Sequence, residues 1–212
     1  MEFSVVMIVT LAILLALGYI GLMIYLIFFY DKGKAGEKAV ARRLKRLPEE
    51  EYKVINDLML PTSYGTTQID HVVVSRYGIF VIETKNYKGN IYGSKNAERW
   101  VQYTRHNQYS MLNPIAQNDL HLKTVKSYLT RLNINAEVYS IIAFTRRAKI
   151  KVNQKVCDIV YIDELLPKIL SYNSIQINQE EVEQIYTKLH NENIVSPLER
   201  QEHVARIKTK HC

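Results

Sequence analysis

From Phe3 to Tyr30 the chain carries no charged side chain, and its apolar residues follow no amphipathic period. A bilayer core is crossed by about 20 apolar residues, so this stretch is long enough. A cleaved signal peptide has a basic start, a shorter apolar run and a small-residue cleavage site. This segment instead begins Met1-Glu2 and ends in Tyr25, Phe28, Phe29 and Tyr30, rings suited to a bilayer interface. The pattern predicts a retained transmembrane helix over residues 3–30; the alternative, a buried core helix, rarely lacks polar residues on every face. Lys32, Lys34, Lys38, Arg42 and Arg43 crowd just beyond it and nothing basic precedes it. The positive-inside rule therefore predicts a single-pass protein of the cell membrane with its soluble part in the cytoplasm.

After Lys34 the apolar spacing turns helical. In "KAGEKAVARRLKRL", Val40, Ala41, Leu44 and Leu47 recur at helix period and Pro48 closes the run. Glu37 precedes Val40 and Ala41 by three and four residues, which puts it on the same inward stripe. Lys38, Arg42 and Lys45 form the opposite face, open to water or to phosphate and lipid contact. "YKVINDLML" then reads as a strand, and Pro61 to Gly65 as a turn.

The next segment, "QIDHVVVSRYGIFVIETKNYKG", is a β-branched hairpin that carries Asp70, Glu83 and Lys85 among apolar residues. If Ser75 pairs with Gly78 across Arg76 and Tyr77, Val74 faces Ile79, Val72 faces Val81 and Asp70 faces Glu83. Period-2 alternation then sets Lys85 on the face of Glu83. Two opposed carboxylates repel unless a cation sits between them. Carboxylates so placed can hold a hard divalent cation through oxygen, and a nearby lysine can orient water and stabilise developing charge.

Beyond the hairpin, "NYKGNIYG" and "WVQY" read as short strand-like pieces, with Gly89 and Gly93 serving turns. "NPIAQNDLHLKTVKSYLTRL" is a marked helix, with Asn113 as N-cap, Pro114 at the first helical position and Leu122, Val125, Leu129 and Leu132 as its apolar stripe. "AEVYSIIAFT" and "KVCDIVYID" read as strands. From Asp163 onward Val182, Ile185, Tyr186 and Leu189 mark a helix, followed by a polar basic end in which no chemistry is legible.

The net charge is +7, concentrated outside the apolar N-terminus, which suits anionic partners such as nucleic acid or an anionic leaflet. Cys157 and Cys212 show no metal or disulfide spacing, as expected of bland thiols in a reducing compartment.

The stretches "GEKAV", "TQIDHVVVSRYGIFVIETKNYKGNIYG", Trp100 and "NPIAQN", in this order from about Lys34 to Phe144, resemble the nuclease-related (NERD) domain of the PD-(D/E)xK restriction-endonuclease-like superfamily. The resemblance implies an α/β fold: a restriction-endonuclease-like αβββαβ core with a mixed sheet flanked by helices. That core would span residues 31–148, after the transmembrane helix, and residues 149–212 would be an α/β extension completing or flanking it. It implies Asp70 and Glu83 as ligands of Mg²⁺ or Mn²⁺, Lys85 as the water-orienting or charge-stabilising lysine, and Glu37 as an assisting acid. Gln117 resembles the glutamine that some superfamily members carry on the following helix. Where exonuclease-type relatives have Tyr in Gln-x-x-x-Tyr, this chain has His121. Lys38, Arg42, Arg76 and Lys88 are the expected nucleic-acid contacts, while His71 and His106 read as ordinary polar residues and Trp100 and Tyr87 as packing residues. The implied activity is hydrolysis of phosphodiester bonds in DNA or RNA. The alternative is a non-catalytic module that binds nucleic acid or acts as a scaffold while tethered to a membrane.

Overall fold

The computed structural model describes residues 2–63, 65–152 and 158–210, with side chains described for 7–24, 32–63, 65–152, 158–203 and 205. The aromatic cluster Tyr25, Phe28, Phe29 and Tyr30, together with Cys157 and Cys212, lies outside the described side chains.

Helix α1, Glu2–Leu44, is a single uninterrupted helix, about 65 Å long at 1.5 Å per residue. Its segment Met7–Ile24, with a mean hydropathy of 2.5, is long and apolar enough to cross a membrane, and none of it is buried against the described chain. The two helices expected from the sequence thus run on as one. The C-terminal half turns Gly36, Val40 and Leu44 into the core, and Glu37 stands at the margin of that stripe rather than within it. Arg42 and Arg43 in the last turn complement the helix dipole.

The chain continues through β1 (Tyr52–Thr62), β2 (Gly65–Ser75), β3 (Gly78–Lys85), β4 (Gly89–Gly93), β5 (Arg99–Tyr103), β6 (Gln108–Leu112), α2 (Pro114–Arg131), β7 (Val138–Phe144), β8 (Ala148–Val152) and β9 (Asp158–Tyr161). Helices α3 (Leu165–Leu170), α4 (Gln179–Asn191) and α5 (Pro197–Lys210) complete it. The main sheet has the order β1-β2-β3-β7-β9. Its first three strands are antiparallel, and β7 and β9 join in parallel, so the sheet is mixed. With α1, β1 to β3, α2 and β7, the αβββαβ order is present, and the architecture is of the restriction-endonuclease-like α/β type.

Both faces of this sheet are covered. Val72, Val74, Ile79 and Val81 pack beneath α2 and α4, against Val125, Leu129, Val182 and Ile185. On the other face Val73, Phe80, Ile82 and Ile141 meet Val40 and Leu44 of α1 and Leu165 and Ile169 of α3. A strand buried on both faces reads as a continuous apolar run, which is why β2 and β3 do not alternate near their turn.

A second sheet, β6-β5-β4-β8, stands beside the end of β3 and encloses Trp100, whose indole nitrogen donates to the carbonyl of Ser94 at 2.9 Å. Strands β6 and β8 were not legible in the sequence, since each is short and β6 is mostly exposed. Gly89 opens β4 with a φ of 81°, which favours glycine there. Gly93 does not serve a turn: a Cβ there would lie 2.3 Å from the Trp100 ring, so its requirement is close packing.

Candidate active site

The β2–β3 hairpin pairs Ser75 with Gly78, Val74 with Ile79, Val72 with Val81 and His71 with Ile82, the register the turn arithmetic predicts. Pairing ends there. Beyond it the Asp70 side chain turns toward the partner strand, and its Oδ2 accepts the backbone N–H of Thr84 at 2.7 Å. Strand β3 continues alongside β7 as far as Lys85, opposite Phe144, so only the β2 side of the sheet opens.

The opening has a cause on β1. Asp57 lies across from Asp70, is unpaired in the β1–β2 ladder, and takes a φ of 56°. Before it Ile55 faces the α2 and α4 layer; after it Leu58 and Leu60 do, so the alternation changes face at this point. On β2 the same switch separates Val72 from Ile69. Asp70 therefore sits where the pleat is interrupted, free to reach sideways toward β3.

Glu83 and Lys85 share the α2 face of β3. The ammonium Nζ of Lys85 donates to Glu83 Oε1 at 2.6 Å and to Gln117 Oε1 at 2.9 Å. One helical turn beyond Gln117, His121 places Nε2 3.3 Å from Glu83 Oε2, while its Nδ1 lies 2.8 Å from the Thr67 hydroxyl. Glu83 is 2 % exposed. Helix α2 is fixed at the height this requires by two asparagines. Asn113 caps the helix at Ile115 N and donates to the carbonyls of Ser94, Lys95 and Ala97; Asn118 donates to Val81 O at 3.0 Å and Ser140 Oγ at 2.8 Å. On the opposite side α1 crosses the end of β3 so closely that a Cβ on Gly36 would lie 2.9 Å from Asn86 Cβ. That crossing brings Glu37 to the opening, where it pairs with Lys34 at 3.1 Å.

The charges do not balance. Burial works against the Glu83 carboxylate, but Lys85 and His121 outweigh it and hold it down, to about 2. Burial likewise opposes the Lys85 ammonium, and Glu83 overcomes it, so Lys85 stays charged. Asp70 has no such partner: burial, then the Glu83 and Glu37 carboxylates, push its carboxyl well above the usual range, and Lys85 only partly offsets them. Asp70 and Glu83 are oxygen donors of the kind a hard divalent cation takes, and the like-charge repulsion on Asp70 is what such a cation relieves. The residues thus fit the metal the sequence implied. Among the described residues no three His, Cys, Asp or Glu side chains form a complete metal cage. Two carboxylates leave the other positions to water and a ligand phosphate, which is how Mg²⁺ is usually held.

Two cavities meet at this cluster, since Asp70 and Glu37 line both. The smaller, about 610 Å³, also reaches Glu83, Lys85 and Lys88 and is walled by β5 and β6. The larger, about 1000 Å³, is lined by Gln117, His121, Asp57 and, from α5, Arg200 and His203.

Of the residues expected from the sequence, the structure brings Glu37, Asp70, Glu83, Lys85 and Gln117 together, with Lys88 beside them. Lys38 and Arg42 are exposed on α1 and line neither cavity. Arg76 sits in the β2–β3 turn, at the opposite end of β3 from Lys85, where its carbonyl accepts from Gln176 N at 2.8 Å. His121 enters through Glu83, and its i,i+4 spacing from Gln117 on a capped helix was the available signal. Arg200 and His203 correct the reading of the C-terminus as chemically silent. Arg200 pairs with Asp57 at 2.8 Å, and His203 Nδ1 meets the Thr66 hydroxyl at 2.7 Å. No local pattern announces contacts that cross so much of the chain.

A family described as the nuclease-related domain matches residues 32–145. An uncharacterized protein of Bacillus anthracis is 37% identical over 183 residues, which cover 84% of this chain and 85% of that protein. No solved structure matches.

Proposed function

The chain belongs to the nuclease-related domain family, and from that premise we propose that it is a membrane-tethered, Mg²⁺- or Mn²⁺-dependent nuclease that hydrolyses phosphodiester bonds in DNA or RNA. The observation that supports this most is the convergence of Asp70, Glu83 and Lys85 where β2 parts from β3, with Gln117 and His121 holding them from α2.

In this reading Asp70 and Glu83 would hold the metal, which when bound would supply polarisation of the phosphoryl group and a lowered pKa for a coordinated water. Lys85 carries the charge that orients water and steadies the oxyanion as it develops. Gln117 fixes the lysine by accepting from its ammonium, so Nζ is directed at the opening rather than folded onto Glu83 alone. His121, oriented by the Thr67 hydroxyl, stands 3.3 Å from the far oxygen of Glu83. Glu37 acts from the α1 side of the same opening. The apolar helix tethers this domain, with residues 31–148 as the nuclease-like unit and 149–212 as its flanking extension, on the cytoplasmic side.

The test is cleavage of single- and double-stranded DNA and RNA by the full chain in detergent, with Mg²⁺ or Mn²⁺ against EDTA. Metal-dependent products support the proposal and name the substrate. Salt-sensitive binding without cleavage on every substrate would replace the nuclease with a tethered binding module.

A further inference from the structure

Three cations from three separate elements converge on the smaller cavity: Lys32 of α1, Lys88 of the β3–β4 connection and Arg147 of the β7–β8 connection. Backbone ties hold them to one frame. Asn86, just past β3, donates from Nδ2 to the carbonyl of Lys32 at 2.8 Å and accepts from the Thr145 hydroxyl at 3.0 Å. The N–H of Gly89 donates to the carbonyl of Arg147 at 2.9 Å. Burial, and then the charges of Lys88 and Arg147, lower the Lys32 ammonium, as expected of cations held near one another. Like charges brought together cost stability and focus a positive field on whatever anion enters. The same cavity has the carboxylates at its floor and the rings of Tyr87 and Tyr109 in its wall.

Resting on the phosphodiesterase reading above, we propose that Lys32, Lys88 and Arg147 form a phosphate subsite for the backbone of single-stranded nucleic acid beside the bond to be cut, so that the site takes single strands in preference to duplex. Glu83, nearly sealed from solvent, lies at the bottom of a cavity of about 610 Å³. A strand held in a duplex carries its partner with it and cannot bring a phosphate to that depth without unpairing. A single strand can, with one base set against an exposed tyrosine, a contact that tolerates any sequence. The larger cavity, continuous across Asp70 and Glu37, receives the strand on the other side. Headgroups of an anionic bilayer offer the same phosphate chemistry, and Lys32 stands two residues past Tyr30, where the uncharged run ends. A bilayer surface, however, cannot follow the cations into the cavity they share with the carboxylates.

The test is fluorescence anisotropy of a labelled oligothymidylate, alone and annealed to oligoadenylate, with the full chain in uncharged detergent and EDTA. The wild type is expected to bind the single strand at least about tenfold more tightly than the duplex. The Lys32→Gln/Arg147→Gln variant loses about tenfold of the single-strand affinity, and its log–log salt slope falls by about 1.4, two contacts at about 0.7 each. The charge-preserving Lys32→Arg/Arg147→Lys variant restores both. Unchanged single-strand binding in the glutamine variant, equal loss on both substrates, or failure of the charge-preserving pair to restore binding would each overturn the subsite. So would displacement of the strand by phosphatidylglycerol micelles at concentrations where phosphatidylcholine has no effect, which would assign the cations to lipid. The expected binding losses without wild-type cleavage under any metal would uphold the subsite and defeat the nuclease reading. Cleavage with an unaffected glutamine variant would do the reverse.

Discussion

At the scale of single residues, the site is an arrangement of buried charges whose removal has opposite consequences for stability. Lys85 is the partner of a carboxylate that is almost sealed, so Lys85→Met leaves Glu83 compensated only by His121. Breaking a buried pair by removing one partner costs about 3–5 kcal/mol. We expect the melting temperature to fall by about 2–4 °C per kcal/mol for a chain of this size. Adding Glu83→Gln should recover part of the loss, as a double-mutant cycle followed by thermal unfolding would measure; additive losses would mean that the pair is not coupled. Gly93→Ala drives a methyl into the indole of Trp100, at a cost of about 1–3 kcal/mol. Trp100 is the sole tryptophan, so its emission reports the disturbance directly, and an unshifted spectrum with unchanged stability would contradict the packing described. The sequence already displayed Asp70, Glu83 and Lys85, and period 2 put them together on the condition that Ser75 pairs with Gly78, a pairing that Arg76 and Tyr77 do not by themselves dictate. It could not show that Asp70 leaves the ladder, because that depends on the left-handed Asp57 of another strand.

At the scale of elements, the site depends on α2 and α5 in different ways. Helix α2 was legible to the residue, since Asn-Pro is a strong start signal and the apolar stripe is regular; the structure adds that the cap also fastens the helix to the β4–β5 connection through three carbonyls. Helix α5 was illegible as a part of the site because, among the described residues, its ties to β1 and β2 are long-range polar ones. Its hold on β1 is the Arg200–Asp57 pair, and this gives a pH dependence of definite sign. Burial raises the Asp57 carboxyl, but the hydrogen bonds from Arg200 and Gln68 outweigh it, so its pKa in the fold lies below the ordinary value of about 3.9. A depressed carboxyl stabilises the fold above its unfolded pKa and loses that contribution as pH falls through the folded one. The protection factor of α5 amides, their exchange corrected for the intrinsic rate at each pH, should therefore be unchanged between pH 7 and pH 5 and should fall below about pH 4. Arg200→Ala should show the lowered protection factor already at pH 7. Protection of α5 that ignores both the substitution and the acid range would place its anchorage elsewhere.

At the scale of the whole molecule, one helix serves two environments. Its segment Met7–Ile24 is apolar and unburied, and its second half buries Val40 and Leu44 in the main core and carries Lys32 and Glu37 to the cavities. The helix runs without a break from its apolar segment into the domain, so under the proposed tethering the opening at Asp70 is held at a set height beyond that segment. The sequence showed the composition change at Asp31 and invited a boundary there; continuity of the helix across it is a matter of packing that composition does not record. A chain shortened to begin at residue 31 keeps the core stripe and is expected to fold, whereas one beginning at residue 48 loses Val40, Leu44 and Leu47 together and should not give a cooperative melt.

The central claim is that Asp70 serves chemistry at the expense of the fold, and it is tested most directly by Asp70→Asn in the full chain, with metal-dependent cleavage and thermal unfolding measured on the same sample. Asparagine keeps an oxygen for Thr84 N and removes a charge that burial, Glu83 and Glu37 all oppose. Cleavage is predicted to fall by at least about a hundredfold, while stability rises by about 0.5–2 kcal/mol. Retained cleavage, or lost cleavage accompanied by a destabilised fold, would contradict the account.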